Sequence, residues 1–467
     1  MEAMRNLTVA MTLLLGGALS SYAQDKPEEQ PAFIFIENVK VFDGTNEALK
    51  DGPILIENNL IKVVGAKATK PAGAVVIDGN GGTLMPGLID CHSHLGAQLP
   101  GIAALESANW DEIGARTVVA AKDHLMDGFT TVRDLGGMSG RGIKKMIDAG
   151  ELPGPRIFPS GAIISQTSGH GDLTNLTARA YRFNGGVRDS NIERLEISVT
   201  ADGRADVLAA VRRQLKTGAT QIKIMAGGGV ASTWDPWHST GYTMSEMKAA
   251  VEAASDYGTY VAAHVNQNYS IQRCLEAGIP SIEHGFVLDE KTIKMIVEKG
   301  AYLSTQLTGT SRELYNLPSL NAENLRKLDI AQEEMKNYFA LVKKHKPKQV
   351  FSIDAVLTNK QQADQQRAHE IWLFANHFGN FAMLKAATSS AGELVSLCGK
   401  MNPYPSGKLG VIEAGAYADI LIVDGNPLED IGVIGGNELW YEAPPRNGVA
   451  TIKLIMKDGK IFKNELK

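Results

Sequence analysis

Short apolar runs set apart by turn residues open the described pattern of this chain. They are Phe33-Ile34-Phe35-Ile36, Lys40-Val41-Phe42, Ile54-Leu55-Ile56, Ile61-Lys62-Val63-Val64 and Ala74-Val75-Val76-Ile77, with Gly and Asn between them. Such spacing predicts the short strands of a small β-sandwich. The same texture returns in Ile420-Leu421-Ile422-Val423, Val449 to Ile455 and Lys460-Ile461-Phe462. Between these two ends the pattern changes. Apolar runs are now separated by helical or loop stretches, as where the helix that includes Ala115 to Met126 leads into Thr130-Thr131-Val132-Arg133-Asp134. Strands alternating with helices predict parallel pairing and an α/β fold.

The chemistry sits where the runs end. The stretch Leu84 to Ile89 reads as a buried parallel strand and leads into Asp90-Cys91-His92-Ser93-His94. Alternate residues of a strand share a face, so His92 and His94 project together, and two imidazoles on one face supply half of a metal site. Further candidates follow in the same position: Lys223 in Gln221 to Met225, His264 after Tyr260 to Ala263, His284 after Ser281 to Glu283, and Asp354 after Val350 to Ile353. Side chains converging from the C-terminal ends of several strands are how a (β/α)8 barrel presents a site.

In these six residues, and along residues 33–462, the chain resembles the metal-dependent amidohydrolases. The resemblance implies a TIM-like barrel over residues 85–403, inserted into a composite β-sandwich built from residues 24–84 and 404–467. It also implies two divalent cations roughly 3.5–4 Å apart sharing one water. His92, His94 and Asp354 would hold the first, His264 and His284 the second, and Lys223 both. A buried Lys223 has three possible states: salt-bridged, neutral, or a carbamate formed with CO2. The resemblance selects the last, an N6-carboxylysine. Imidazole and carboxylate ligands suit zinc, and also other first-row metals. The bridging water would attack a carbonyl while Asp354 takes its proton and passes it to the leaving amine.

Substrate contacts are less sharply marked. His170 lies in Ser168-Gly169-His170-Gly171, after the third barrel strand, around Arg156 to Ile164. It is either a turn-capping residue or a substrate contact, and peptide-cleaving amidohydrolases carry a similar segment. Gly227-Gly228-Gly229 lacks a phosphate-loop ending and lets backbone approach the site. Trp234, Trp237 and His238 follow it as lid, core or an aromatic wall. Arg133 and His170 are candidates for a free α-carboxylate. The insertion Thr174 to Asp206 reads as a lid or specificity loop. The nearest resemblance is to Xaa-Pro dipeptidase, carboxypeptidase-like and ochratoxin-hydrolase-like members. It implies release of a C-terminal amino acid from dipeptides, N-acyl amino acids or ochratoxin-like amides, by a homo-oligomer. The alternatives are a cyclic-amide hydrolase, a deaminase of the same superfamily, or a non-catalytic metal-binding barrel.

Composition narrows the setting. Lys and Arg number 47 against 52 Asp and Glu, a net charge of −5 that implies no nucleic-acid partner. Three cysteines make no disulfide framework. Arg5, an apolar run from Leu7 to Leu19, and Ser21-Tyr22-Ala23 read as a signal peptide over residues 1–23 and predict an exported protein, periplasmic or secreted, without a stable membrane span.

Overall fold

The computed structural model describes residues 31–466 except 138, 176, 233, 318 and 319. The expected signal segment therefore lies outside the described residues. The N-terminal strands are β1 (Phe33–Glu37), β2 (Lys40–Val41), β3 (Lys50–Asp51), β4 (Ile54–Glu57), β5 (Leu60–Val64), β6 (Val75–Asp78) and β7 (Thr83–Pro86). The parallel strands are β8 (Leu88–Ser93), β9 (Phe129–Asp134), β10 (Arg156–Pro159), β11 (Ile163–Ser165), β12 (Ser198–Thr200), β13 (Ile222–Met225), β14 (Val261–Val265), β15 (Ser281–His284), β16 (Tyr302–Ser304) and β17 (Lys348–Gln349). The chain closes with β18 (Ile420–Val423), β19 (Ile452–Lys457) and β20 (Lys460–Asn464).

Two sheets contain the outer strands, in the orders β5-β4-β1-β6 and β20-β19-β18-β7-β2-β3. The second joins both chain ends, with β7 antiparallel to β18 through Met85 opposite Leu421. Because side chains alternate along a strand, Ile34, Ile36, Ile54 and Ile56 turn one way and meet Leu84, Ile420, Ile422 and Leu454 in a shared core.

The apolar run Leu84 to Ile89 is two strands rather than one, divided at Gly87. There β7 leaves the outer sheet and β8 enters the parallel one. A Cβ at Gly87 would lie 2.0 Å from the Thr130 hydroxyl, so only glycine fits this crossing.

The parallel strands form two arcs, β10-β9-β8 and β12-β11-β13-β14-β15-β16-β17. A few hydrogen bonds bridge them, from Thr220 N–H to Pro159 O at 2.7 Å and Gln221 Nε2–H to Phe158 O at 2.8 Å on one side, and from Cys91 N–H to Phe351 O at 2.9 Å and Asp354 N–H to His92 O at 2.8 Å on the other. No continuous ladder closes a ring among the described residues. The stretch expected as the last barrel strand, Val350 to Ile353, does not pair regularly. The physical reason is Asp90: its carboxylate accepts the N–H groups of both His92 and Ile353, replacing a backbone rung. Part of the 174–206 insertion is also a sheet element, since β12 pairs in parallel with β11 through Ile163 opposite Ser198. No helix among the described residues is long and apolar enough to cross a membrane.

Candidate active site

The strand ends bring five imidazoles into a row. Ring centroids are 5.2 Å apart between His94 and His92, 5.1 Å between His92 and His284, 4.3 Å between His284 and His264, and 4.2 Å between His264 and His170. Asp354 lies against this row, with Oδ1 3.2 Å from His94 Nε2 and 3.6 Å from His92 Nε2. Lys223 Nζ is 3.1 Å from His92 Nε2. All six residues at the strand ends are therefore together. His284 and Asp354 hold left-handed backbone, with φ of 70° and 53°. That conformation is costly for residues other than glycine and concentrates at functional sites.

Burial sets the protonation of the cluster. It pulls the His92 and His284 imidazoles down to about 4 and about 3, and His264 well below its ordinary value. Each ring is then neutral at neutral pH and keeps a lone pair. Burial alone would raise the Asp354 carboxyl, but the surrounding imidazoles hold it well below the usual carboxylate range. Burial also brings the Lys223 ammonium down to about 8, against the opposing pull of Glu283 and Asp354.

The neighbours orient these donors. His92 Nδ1 faces Glu283 Oε2 at 3.0 Å, and His284 Nδ1–H donates to Gln306 Oε1 at 2.6 Å. Each ring thus has Nε2 left for a cation, the carboxylate–histidine arrangement of metal sites. Gln306 is itself fixed, donating to Ser352 Oγ at 2.9 Å. Donor atoms of His92, His284 and Asp354 all lie within 4.8 Å of one another. Asp354 Oδ1, approached by His94 Nε2 and His92 Nε2, is buried without a hydrogen bond. Neutral imidazoles and an ionised carboxylate with an unsatisfied buried oxygen fit divalent cations.

Two cavities meet at this row. One, about 100 Å3, is walled by Ile102, Leu105, Ile163, Leu173, Ile197 and Leu357. The other, about 190 Å3, is walled by Trp237, Phe286, Leu314, Leu328, Met335 and Trp440 among others. His170, His264, His284 and Asp354 line both.

Some expected contacts are elsewhere. Arg133 does not face either cavity. It is fully buried, with Nε–H donating to Cys91 O, Nη1–H to Ser281 Oγ, and Nη2–H to both oxygens of Glu283. Its donors are consumed beneath the histidines, so it has none to offer a substrate carboxylate. Trp234 is 47% exposed and His238 is exposed, and neither lines a cavity. The loop that carries them buries Ser232, Asp235 and Trp237 and leaves Trp234, Pro236 and His238 outside. Of the three expected contacts there, Trp237 alone is buried at the site, its Nε1–H donating to Glu334 Oε2 at 2.7 Å. Glu283 and Gln306 went unread in the sequence. A charged residue inside the apolar strand Ser281 to His284 was the available signal for Glu283; Gln306 carried none.

The amidohydrolase family model matches residues 83–384, and the chain belongs to that family. It is 30% identical to the ochratoxinase of Aspergillus niger over 434 residues, 90% of this chain and 84% of that one. A solved amidohydrolase structure superimposes with a TM-score of 0.81 at 32% identity, covering 93% of this chain and 100% of the other. A Xaa-Pro dipeptidase with methionine bound in its active site gives 0.76 at 27% identity, covering 92% and 100%.

Proposed function

We propose that this chain is a metal-dependent hydrolase that cleaves an amide or peptide bond and releases a C-terminal amino acid from an apolar acyl or aminoacyl group. The observation that carries the reading is the convergence of four histidines, Lys223 and Asp354 where two apolar cavities meet. The names of the similar proteins, an ochratoxinase and a Xaa-Pro dipeptidase, support amide or peptide bonds as the target.

In this reading His92, His94 and Asp354 would hold one cation and His264 and His284 a second, with Lys223, as a carbamate, contributing to both. Cations held there supply Lewis-acid polarisation of the scissile carbonyl and a water of lowered pKa. Asp354 accepts the proton of the attacking water and delivers it to the leaving nitrogen, since an amine leaves poorly unless protonated. His170, on the wall shared by both cavities, contacts the bound substrate. The cavities take the two halves of the substrate, and their apolar walls favour apolar groups on both sides of the bond.

The test is release of amino acid from a panel of dipeptides and N-acyl amino acids by protein reloaded with zinc and bicarbonate. Asp354→Ala and Lys223→Ala should each lower turnover by a factor of about 10³ or more while leaving the fold intact; chelation should abolish it reversibly. Near-normal turnover in Asp354→Ala would remove the proposed proton shuttle. Turnover that survives complete metal removal would overturn the whole reading.

A further inference from the structure

His170 does not stand alone. Its Nδ1 is 3.0 Å from Asp235 Oδ2, and the same oxygen accepts Gly229 N–H at 2.8 Å. The Asp235 side chain is fully buried, and its second oxygen, Oδ1, has no hydrogen-bond partner. The nearest cation to that oxygen is Lys327 Nζ at 3.7 Å, also fully buried. Lys327 belongs to the helix Ala322–Glu334, which borders the larger cavity through Leu328. Lys327 Nζ donates to Ser232 O at 2.7 Å, and Asn324, one turn earlier, donates its side-chain N–H to Val230 O at 2.6 Å. The helix therefore grips the loop that carries Asp235, and Asp235 in turn grips the ring.

Packing also confines the ring. It stacks on His264 at 4.2 Å and 15° on one face. Gly229 also lies against the ring, where a Cβ would come within 2.3 Å of His170 Cε1. A carboxylate only accepts, so Nδ1 must be the protonated nitrogen, and Nε2 is the one left to face the substrate.

We propose that Asp235 and Lys327 are positioning residues for His170: they fix its Nδ1–H tautomer and ring plane, and so couple substrate contact in the active site to the helix Ala322–Glu334. The catalytic reading rests on the proposed hydrolase, but the tautomer does not. Lys327 stabilises the buried carboxylate electrostatically without competing with His170 for its hydrogen bond. Asp235 acts on the reaction only through the ring it holds.

Two measurements test this on the zinc-loaded full chain. The first is a long-range 1H–15N correlation of histidine side chains, with His170→Ala identifying the signal. The Nδ1–H tautomer should be seen in the unaltered protein and lost or mixed in Asp235→Ala. An Nε2–H tautomer in the unaltered protein overturns the proposal whatever the activity. The second is a double-mutant cycle on the best amide substrate, with zinc content checked in each variant. Asp235→Ala should lower kcat/KM by about 10²-fold, the scale of a small misplacement at a reacting group. In the His170→Ala background the same change should cost less than about twofold, because the residue acts through the ring. Lys327→Met should show the same pattern more weakly. Asp235→Asn, which keeps the shape and an acceptor, serves if the alanine variant unfolds and should retain most of the tautomer signal. Equal losses in both backgrounds, or no loss in either, would refute the positioning role. Absence of amide turnover in the unaltered protein would instead count against the hydrolase reading, leaving the tautomer result to decide this one.

Discussion

Glu283 serves two buried neighbours at once, His92 and Arg133. Burial alone would raise its carboxyl, but the Arg133 guanidinium and His92 hold it well below the usual range. Glu283→Ala should therefore have two separable effects. It should lower metal affinity by about 10–100-fold, as loss of an outer-shell partner does. It should also cost roughly 3–5 kcal/mol of stability, because Arg133 is left charged, buried and unpaired. Chelator competition measures the first and urea unfolding the second. Unchanged metal affinity in a weakened fold would mean that His92 does not bind metal as oriented here. The metal-free protein should also show a definite pH response. Unfolded histidines bind protons near 6.5, whereas folded His92 and His284 wait until about 4 and about 3. The unfolded chain thus binds more protons between pH 7 and 5, and stability falls as pH falls through that window. Thermal melts of chelated protein at the two pH values should show the drop, and loading with zinc should reduce it. The six strand-end residues were legible because residue type and position at the end of an apolar run are both visible in sequence. Arg133 was misplaced because the direction of its side chain depends on Glu283, which reaches it only in the folded chain.

At the scale of elements, the outer strands were legible from their close spacing and alternation. The division at Gly87 was not, because both flanking strands are apolar and only the Thr130 contact reveals the crossing. The irregular stretch before Asp354 was hidden for a similar reason: its interruption depends on a carboxylate over 260 residues earlier, with Ile353 N–H donating to Asp90 Oδ1. Asp419, just before β18, holds the two layers together. Asp419 accepts from Arg156 on β10 at 3.0 Å, and both side chains are 5% exposed. Arg156 also lies over the Tyr417 ring, 3.9 Å from its centroid. Asp419→Ala should leave this guanidinium with Asp458 as its one remaining carboxylate partner and destabilise the protein by about 1–3 kcal/mol. Because the pair is remote from the imidazole row, turnover per folded molecule should be unchanged. Urea unfolding together with kcat on the folded fraction checks both halves. A loss of kcat without a loss of stability would show that the interface transmits to the site.

For the whole molecule the consequential feature is what the two cavities contain besides apolar walls. Among the described residues no arginine lines either one, and the only lysine is Lys223, already at the metal cluster. With Arg133 consumed beneath the histidines, the α-carboxylate of the proposed leaving amino acid would be met by neutral donors. A neutral hydrogen bond contributes about 1 kcal/mol net, less than a charge-assisted fork to a guanidinium. Carboxylate recognition should then be shallow. For one N-acyl amino acid and its carboxamide, kcat/KM should differ by less than about tenfold, since 1.4 kcal/mol is one decade. Enlarging the apolar side chain on either half should matter more, because each buried methylene contributes about 0.8 kcal/mol. The comparison uses matched acid and carboxamide pairs carrying Ala, Leu and Phe on the leaving side. A preference for the free acid above about 10³-fold would require a cation these cavities do not supply. The carboxylate would then have to be held by a group from outside the described site, and specificity would lie in that group rather than in the apolar walls.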